Sequence, residues 1–196
     1  MTAPRLDPPQ LPIRTERLVL RYVTLDDLDD LRYYTDPEVC RYLPFPVADE
    51  EALAARVQRM SERLAPSEPD DVLSLAVVHD DVLVGDLILR LVARTNEDTA
   101  PSVGEIGWAF SPAHAGRGFA TEAATALIDM AFGHYPLHRL IAHLDPRNLR
   151  SAALCERLGM TREALLRKSW PEPDGTWTDE AFYGLLREEW RRPTAD

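Results

Sequence analysis

The stretch EIGWAFSPAHAGRGFATEAATALIDMAF, residues 105–132, sets a carboxylate, a glycine-rich turn and an amphipathic helix in direct succession. Gly116 and Gly118 carry no Cβ, so the backbone of 116–120 can curl and turn successive N–H groups to one side. The helix that follows adds its free N-terminal donors and the positive end of its dipole. A phosphate or pyrophosphate is the natural guest of such a turn. Two familiar phosphate motifs do not fit. A P-loop closes on Gly-Lys-Ser/Thr, whereas Phe119 and Ala120 follow Gly118 here. A dinucleotide fingerprint needs a third glycine within a first strand–helix–strand unit, and the chain before this turn reads as antiparallel. A lone Gly-x-Gly is also compatible with a plain tight turn.

Other residues near the turn could do acid–base work. Glu105 opens the strand GEIGWAF, whose alternation sets Glu105, Gly107 and Ala109 on one face and Ile106, Trp108 and Phe110 on the other. The small residues beside Glu105 leave room for a substrate, and a half-buried carboxylate suits proton abstraction from an ammonium through water. The plain alternative is a strand-end Glu in solvent or paired with an Arg. His143, in HRLIAHL (138–144), is a second base near neutral pH, or simply a packed strand histidine. In NLRSAALCERLGM, Ser151 stands at a helix start beside Asn148, and Cys155 reads as a buried spacer. His134, His138 and His143 fall on a helix, a loop and a strand and make no convincing metal set, so no metal is expected.

The elements that must position these groups follow from periodicity. Residues 17–23 alternate as a strand that ends at Thr24, which can cap a helix over LDDLDDLRYYT. DPEVCRYL reads as a short helical turn, and residues 49–65 as an amphipathic helix stopped by PSEPDD. Two Val/Leu/Ile-rich runs within 72–93 flank a tight acidic turn, as in a β-hairpin. RTNEDTAPS is a polar loop, and Gly159 closes the helix of NLRSAALCERLGM. TREALLRK then reads as a strand, SWPEPDGTWTDE as a loop and AFYGLLREEW as the last strand. Antiparallel hairpins followed by strand–helix–strand–helix–strands predict a mixed α/β domain with an α+β mixed sheet.

The chain of 196 residues fits one domain, expected over residues 12–190, with a Pro-rich lead-in at 1–11 and a tail at 191–196. The formal net charge of −11 argues against nucleic-acid phosphates and is compatible with cationic partners such as amines. No apolar run reaches membrane-spanning length, and the start shows no secretory apolar region. Cys40 and Cys155 are far apart and suit a reducing compartment, so a cytoplasmic protein is expected.

Together the glycine turn and DPRNLRSAALCERLGM resemble the two central motifs of the GNAT acyltransferase superfamily. The first pattern, Gln/Arg-x-x-Gly-x-Gly/Ala, corresponds to Ala115-Gly116-Arg117-Gly118-Phe119-Ala120. The second corresponds to Asn148, Ser151 and Leu158-Gly159-Met160. More narrowly, TERLVLRYVTLDDLDDL, PAHAGRGFATEA and TDEAFYGLLREEW are similar to the RimJ/RimL type, which includes ribosomal-protein N-terminal acetyltransferases and relatives acting on small amines.

The resemblance implies a GNAT fold with antiparallel N-terminal strands and a central splayed parallel pair, GEIGWAF and HRLIAHL. The pantetheine arm of acetyl-CoA or a related acyl-CoA would lie between these two strands. Backbone N–H groups near Ala109 and Phe110 would meet its amides or thioester oxygen, and those of Gly116, Arg117, Gly118, Phe119 and Ala120 its pyrophosphate. Asn148 would bond pantetheine, Ser151 the sulfur, and Glu105 or His143 would be the base. Ala115 departs from the family's Gln or Arg, a contact Arg117 could replace, and Cys155 stands where many members have an acidic Tyr. YYTDPEVCRYLPFP and SWPEPDGTWTDE would wall the acceptor. The implied reaction is direct attack, within a ternary complex, by the amine of a small molecule or a protein N-terminus. Nucleic acid and membrane play no part in it, and homodimers are frequent in the family. A catalytically silent acyl-CoA-binding module is the alternative.

Overall fold

The computed structural model describes residues 7–64, 71–92, 102–172 and 175–193. The loop expected at RTNEDTAPS and the stop at PSEPDD fall almost wholly outside these residues, as does the tail beyond 193. Among the described residues eight strands form one sheet: β1 (Ile13–Arg14), β2 (Val19–Tyr22), β3 (Val72–His79), β4 (Val82–Val92), β5 (Val103–Phe110), β6 (Arg139–Leu144), β7 (Thr161–Pro171) and β8 (Trp177–Leu186). Their spatial order is β1-β2-β3-β4-β5-β6-β8-β7, and every pairing except β5–β6 is antiparallel. The expected mixed α/β fold with one central parallel pair is therefore present.

The described residues also form four α-helices: α1 (Pro37–Cys40), α2 (Glu50–Glu62), α3 (Phe119–His134) and α4 (Leu149–Arg157). Period-two alternation divides the apolar side chains between two layers. Leu73, Leu75, Leu87, Leu89 and Ile106 pack with Ala123, Leu127, Leu154 and Leu158 of α3 and α4. Ala76, Val78, Leu83 and Ala109 point the other way, onto Leu31, Leu53, Val57 and Met60. Asp49 caps α2 by accepting the Ala52 N–H at 2.8 Å.

The segment after Thr24 differs from the expected helix. It consists of two 3₁₀ stretches, Leu25–Asp27 and Asp30–Thr35. Aspartates that bond nearby backbone compete with helix continuation. Asp27 accepts from the Thr24 N–H at 2.7 Å and from both Arg21 Nη atoms, while Asp30 accepts the Leu83 N–H. The last strands also differ. Ser169–Pro171 and Trp177–Glu180, expected in a loop, extend a hairpin in which Trp170 opposes Thr178 and Pro171 opposes Trp177. β7 is the outermost strand, where a proline costs no ladder hydrogen bond.

Candidate active site

The parallel ladder between β5 and β6 is short: Val103, Gly104 and Glu105 oppose Arg139, Leu140 and Ile141, and no pairing continues beyond. β5 runs on to Phe110 and β6 to Leu144, so the two strands part. A cavity of about 380 Å³ opens at this fork. Glu105, Ala109, His143 and Ser151, four of the residues singled out in the sequence, line it together.

Register explains the face that Glu105 occupies. Arg90 opposes Glu105, Ile88 opposes Gly107 and Asp86 opposes Ala109, so the five side chains of these six residues share one side of the sheet. Glu105 is ion-paired with Arg90, whose Nε donates at 3.1 Å and whose Nη2 also donates. His143 stacks on Phe182 with ring centroids 4.0 Å apart, and its Nδ1 lies 3.8 Å from a Glu180 carboxylate oxygen. Its Nε2 is buried without a partner among the described residues, as is the hydroxyl of Ser74, another cavity residue.

Asp86 was not anticipated. It is 3% exposed, lines the cavity, and accepts hydrogen bonds on Oδ1 from Tyr33 at 2.5 Å and Tyr34 at 2.7 Å. Burial pushes its carboxyl up to about 6, against the pull of the two phenols and of the Arg56 charge. The signal in the sequence was a lone carboxylate inside the apolar run VLVGDLILR. Trp108 was also passed over. From the opposite face of β5 its indole donates to Ser151 Oγ at 3.2 Å, so the Ser151 hydroxyl keeps its own proton for another acceptor. Asn148 caps α4, accepting the Ser151 N–H on Oδ1 at 3.1 Å. Cys155 is fully buried, and burial pushes its thiol up to about 12, which agrees with a packing role.

The glycine turn lies beyond the C-terminal end of β5, the end at which the fork opens. Gly116 and Gly118 adopt φ of +76° and +79°, and Gly118 is the N-cap of α3. Among the described residues no acceptor takes the N–H groups of 116–120, which suits an anion in that cradle. The Ala115 N–H, by contrast, is bound to the Pro112 carbonyl at 3.1 Å, so Ala115 offers neither a side chain nor a free donor. The Phe119 ring is buried beneath the turn, ringed by Arg17, Arg117 and His79, so this residue offers the cradle only its backbone. Glu122 anchors the assembly, accepting from Thr15 Oγ1 at 2.5 Å and from the Arg17 N–H and Nε at 2.9 and 2.7 Å. Phe110 sits outside the cavity, its ring against Gly85.

The two expected acceptor walls separate. Tyr34 and Tyr42–Phe45 line the cavity, joined by Arg56, Arg59 and Arg63. The other segment contributes instead to a shallow hollow holding Arg41, Tyr42, Arg147 and Trp177. Arg147 there is committed to Asp145 and to Glu172, the latter at 2.8 Å, rather than free for a coenzyme phosphate.

A mixed sheet forked at its one parallel pair, with a donor-rich glycine turn at the end of the first forked strand, defines a class of coenzyme-A-dependent acyltransferases. Residues 17–161 match the family described as Acetyltransferase (GNAT) domain, and the chain belongs to it as a GNAT-family N-acetyltransferase. An uncharacterized N-acetyltransferase of Bacillus subtilis, YnaD, is 33% identical over 179 residues, covering 91% of this chain and 98% of that protein. The crystal structure of a GNAT-family acetyltransferase from Bacillus anthracis superposes with a TM-score of 0.77 at 30% identity, covering 91% of this chain and all of that one. Mycobacterium smegmatis RimJ, solved with CoA-disulfide, shares the fold with a TM-score of 0.70 at 22% identity, covering 88% of this chain and 83% of its own.

Proposed function

We propose that this N-acetyltransferase moves the acetyl group of acetyl-CoA onto a primary amine by direct attack in a ternary complex. The observation that carries the reading is the forked β5–β6 pair, whose cavity gathers carboxylates, an imidazole and a hydroxyl. N–H groups of Gly116–Ala120 hold the pyrophosphate, and the pantetheine arm lies in the fork beside Ala109, Phe110 and Asn148. Backbone donors of β5 stabilise the negative charge that develops on the thioester oxygen. The Ser151 hydroxyl, oriented by Trp108, donates to the sulfur, and because a free thiol has a pKa of about 8.5 the leaving thiolate needs little further help.

Three groups compete to take the amine proton. Glu105 is already committed to Arg90. Asp86 has Oδ2 without a side-chain donor among the described residues and a carboxyl that burial pushes up to about 6, so it ranks first, followed by Glu105 and then His143. The protein acts in the cytoplasm in this reading, as a homodimer that sedimentation velocity would detect. No helix among the described residues is long and apolar enough to cross a membrane.

Calorimetric titration with acetyl-CoA, succinyl-CoA and coenzyme A, with NAD as control, tests the donor. Selective acyl-CoA binding supports the reading and identifies the acyl group. Absence of binding favours a silent module, for which the spent Ala115 N–H is the structural ground.

A further inference from the structure

We infer that the acceptor amine also carries an anionic group, a carboxylate or a phosphate, held by Arg59 and Arg63 at the mouth of the cavity. This rests on the acetyl-transfer reading and narrows its substrate class. Arg56, Arg59 and Arg63 follow one another at three- and four-residue spacing along α2 and its C-cap, which puts them on one face, and all three line the cavity.

Arg56 is occupied: its guanidinium lies 3.5 Å from the Phe45 ring centroid and 4.7 Å from that of Tyr34. Arg59 and Arg63 have no carboxylate within ion-pair distance among the described residues. The chain holds 33 acidic residues against 22 Lys and Arg, so a partner would have been easy to supply. Of the three acids of α2, Glu50 is paired with Arg32 and Glu62 accepts from Gln58, while Glu51 lies in the first turn, two turns from Arg59. Partial burial first, and then the neighbouring charges of Arg59 and Arg56, push Arg63 below its ordinary range.

The cavity is thus bipolar. α2 contributes guanidinium groups, and the sheet contributes Asp86, Glu105 and His143. An amine bearing an anion fits both walls at once, its ammonium toward the sheet and its anion toward α2. An open cavity of about 380 Å³ is of a size that takes a small molecule or a chain terminus. The coenzyme phosphates have their own cradle at 116–120, none of whose residues lines this cavity.

With saturating coenzyme A filling that cradle, inorganic phosphate is titrated calorimetrically into the wild type, R59A/R63A and R59K/R63K. The wild type is expected to bind it, the alanine pair about tenfold or more weakly, and the lysine pair in between. No binding to the wild type, or equal binding to the alanine pair, would show a merely solvated helix face and overturn the inference. In parallel, acetyl transfer is compared between glycylglycine and glycylglycinamide, and between phosphoethanolamine and ethanolamine. In one pair the anionic member should have a kcat/KM about tenfold higher, which tells carboxylate from phosphate, and R59A/R63A should abolish that preference mainly through KM. Equal or better use of the neutral members overturns the inference. If none of the four amines is acetylated, the phosphate titration decides. If coenzyme A itself fails to bind, the acetyl-transfer reading falls, and the same titration without coenzyme still judges the arginine pair.

Discussion

Asp86 is a carboxylate that the fold has buried between two phenols, and its chemistry and its cost share that origin. D86N keeps an acceptor for Tyr33 and Tyr34 but cannot take a proton. It should lower kcat by about 10²–10⁴-fold with acetyl-CoA affinity retained, as steady-state thiol release would show. E105Q, which only unpairs Arg90, should cost less, and the reverse ranking would return the base role to Glu105. Stability gives an independent check. From an unfolded value near 3.8 the Asp86 carboxyl rises to about 6 on folding. Within that window the folded state holds a proton that the unfolded state releases, so stability falls as pH rises. D86N should therefore melt above the wild type at neutral pH, by at most about 3 kcal/mol, and lose the advantage as pH falls toward about 4. An advantage independent of pH would exclude the buried charge as its source.

At the scale of elements, the glycine turn depends on conformation more than on space. A Cβ on Gly118 would meet only the flexible Arg17 guanidinium at 3.3 Å, but φ of +79° strains any β-branched residue by about 1–3 kcal/mol. G118V is expected to melt cooperatively while binding coenzyme A at least about tenfold more weakly, by calorimetry. Unchanged affinity in the folded variant would remove the turn from the donor site. W108F removes the donor to Ser151 and should reduce kcat with little change in coenzyme affinity, since the indole touches no pyrophosphate group. The turn itself and the helix behind it were legible, because Gly-x-Gly before an apolar-periodic run has few other solutions. Its support was not: Thr15 and Arg17 lie about a hundred residues before Glu122, and nothing local pairs them.

For the molecule as a whole, acid stability draws on contacts between distant elements. Burial opposes ionisation of Glu122, yet bonds from Thr15 and Arg17 hold its carboxyl below the usual range. Asp27 is likewise held down by Arg21 and Thr24 despite burial. A depressed carboxyl stabilises above its unfolded value and loses that contribution as pH falls through the folded one, opposite in sign to Asp86. Melting temperature should consequently fall on acidification below about pH 4, and E122Q should lower it at neutral pH and flatten the acid limb. A parallel pair of melting curves, wild type and E122Q, would assign the acid limb to other groups.

What the sequence determined by itself was whatever neighbouring residues enforce. That covers the 72–93 hairpin, the helices starting near 49 and 119, the glycine turn, and the strands bearing Glu105 and His143. It extends to the mixed sheet, because antiparallel hairpins followed by a strand–helix–strand crossover leave few arrangements. Tertiary structure decided what each functional group meets. Only the β4–β5 register pairs Glu105 with Arg90 and brings Asp86 to the same face, and only packing of the Tyr33–Tyr34 segment on the sheet buries that carboxylate. The 3₁₀ segments and the long final hairpin depart from the expected elements for different reasons. Asp27 bonds Thr24 and Arg21 close by while Asp30 reaches Leu83 across the fold, and the hairpin is extended by cross-strand pairing; local propensity yields to both kinds of partner.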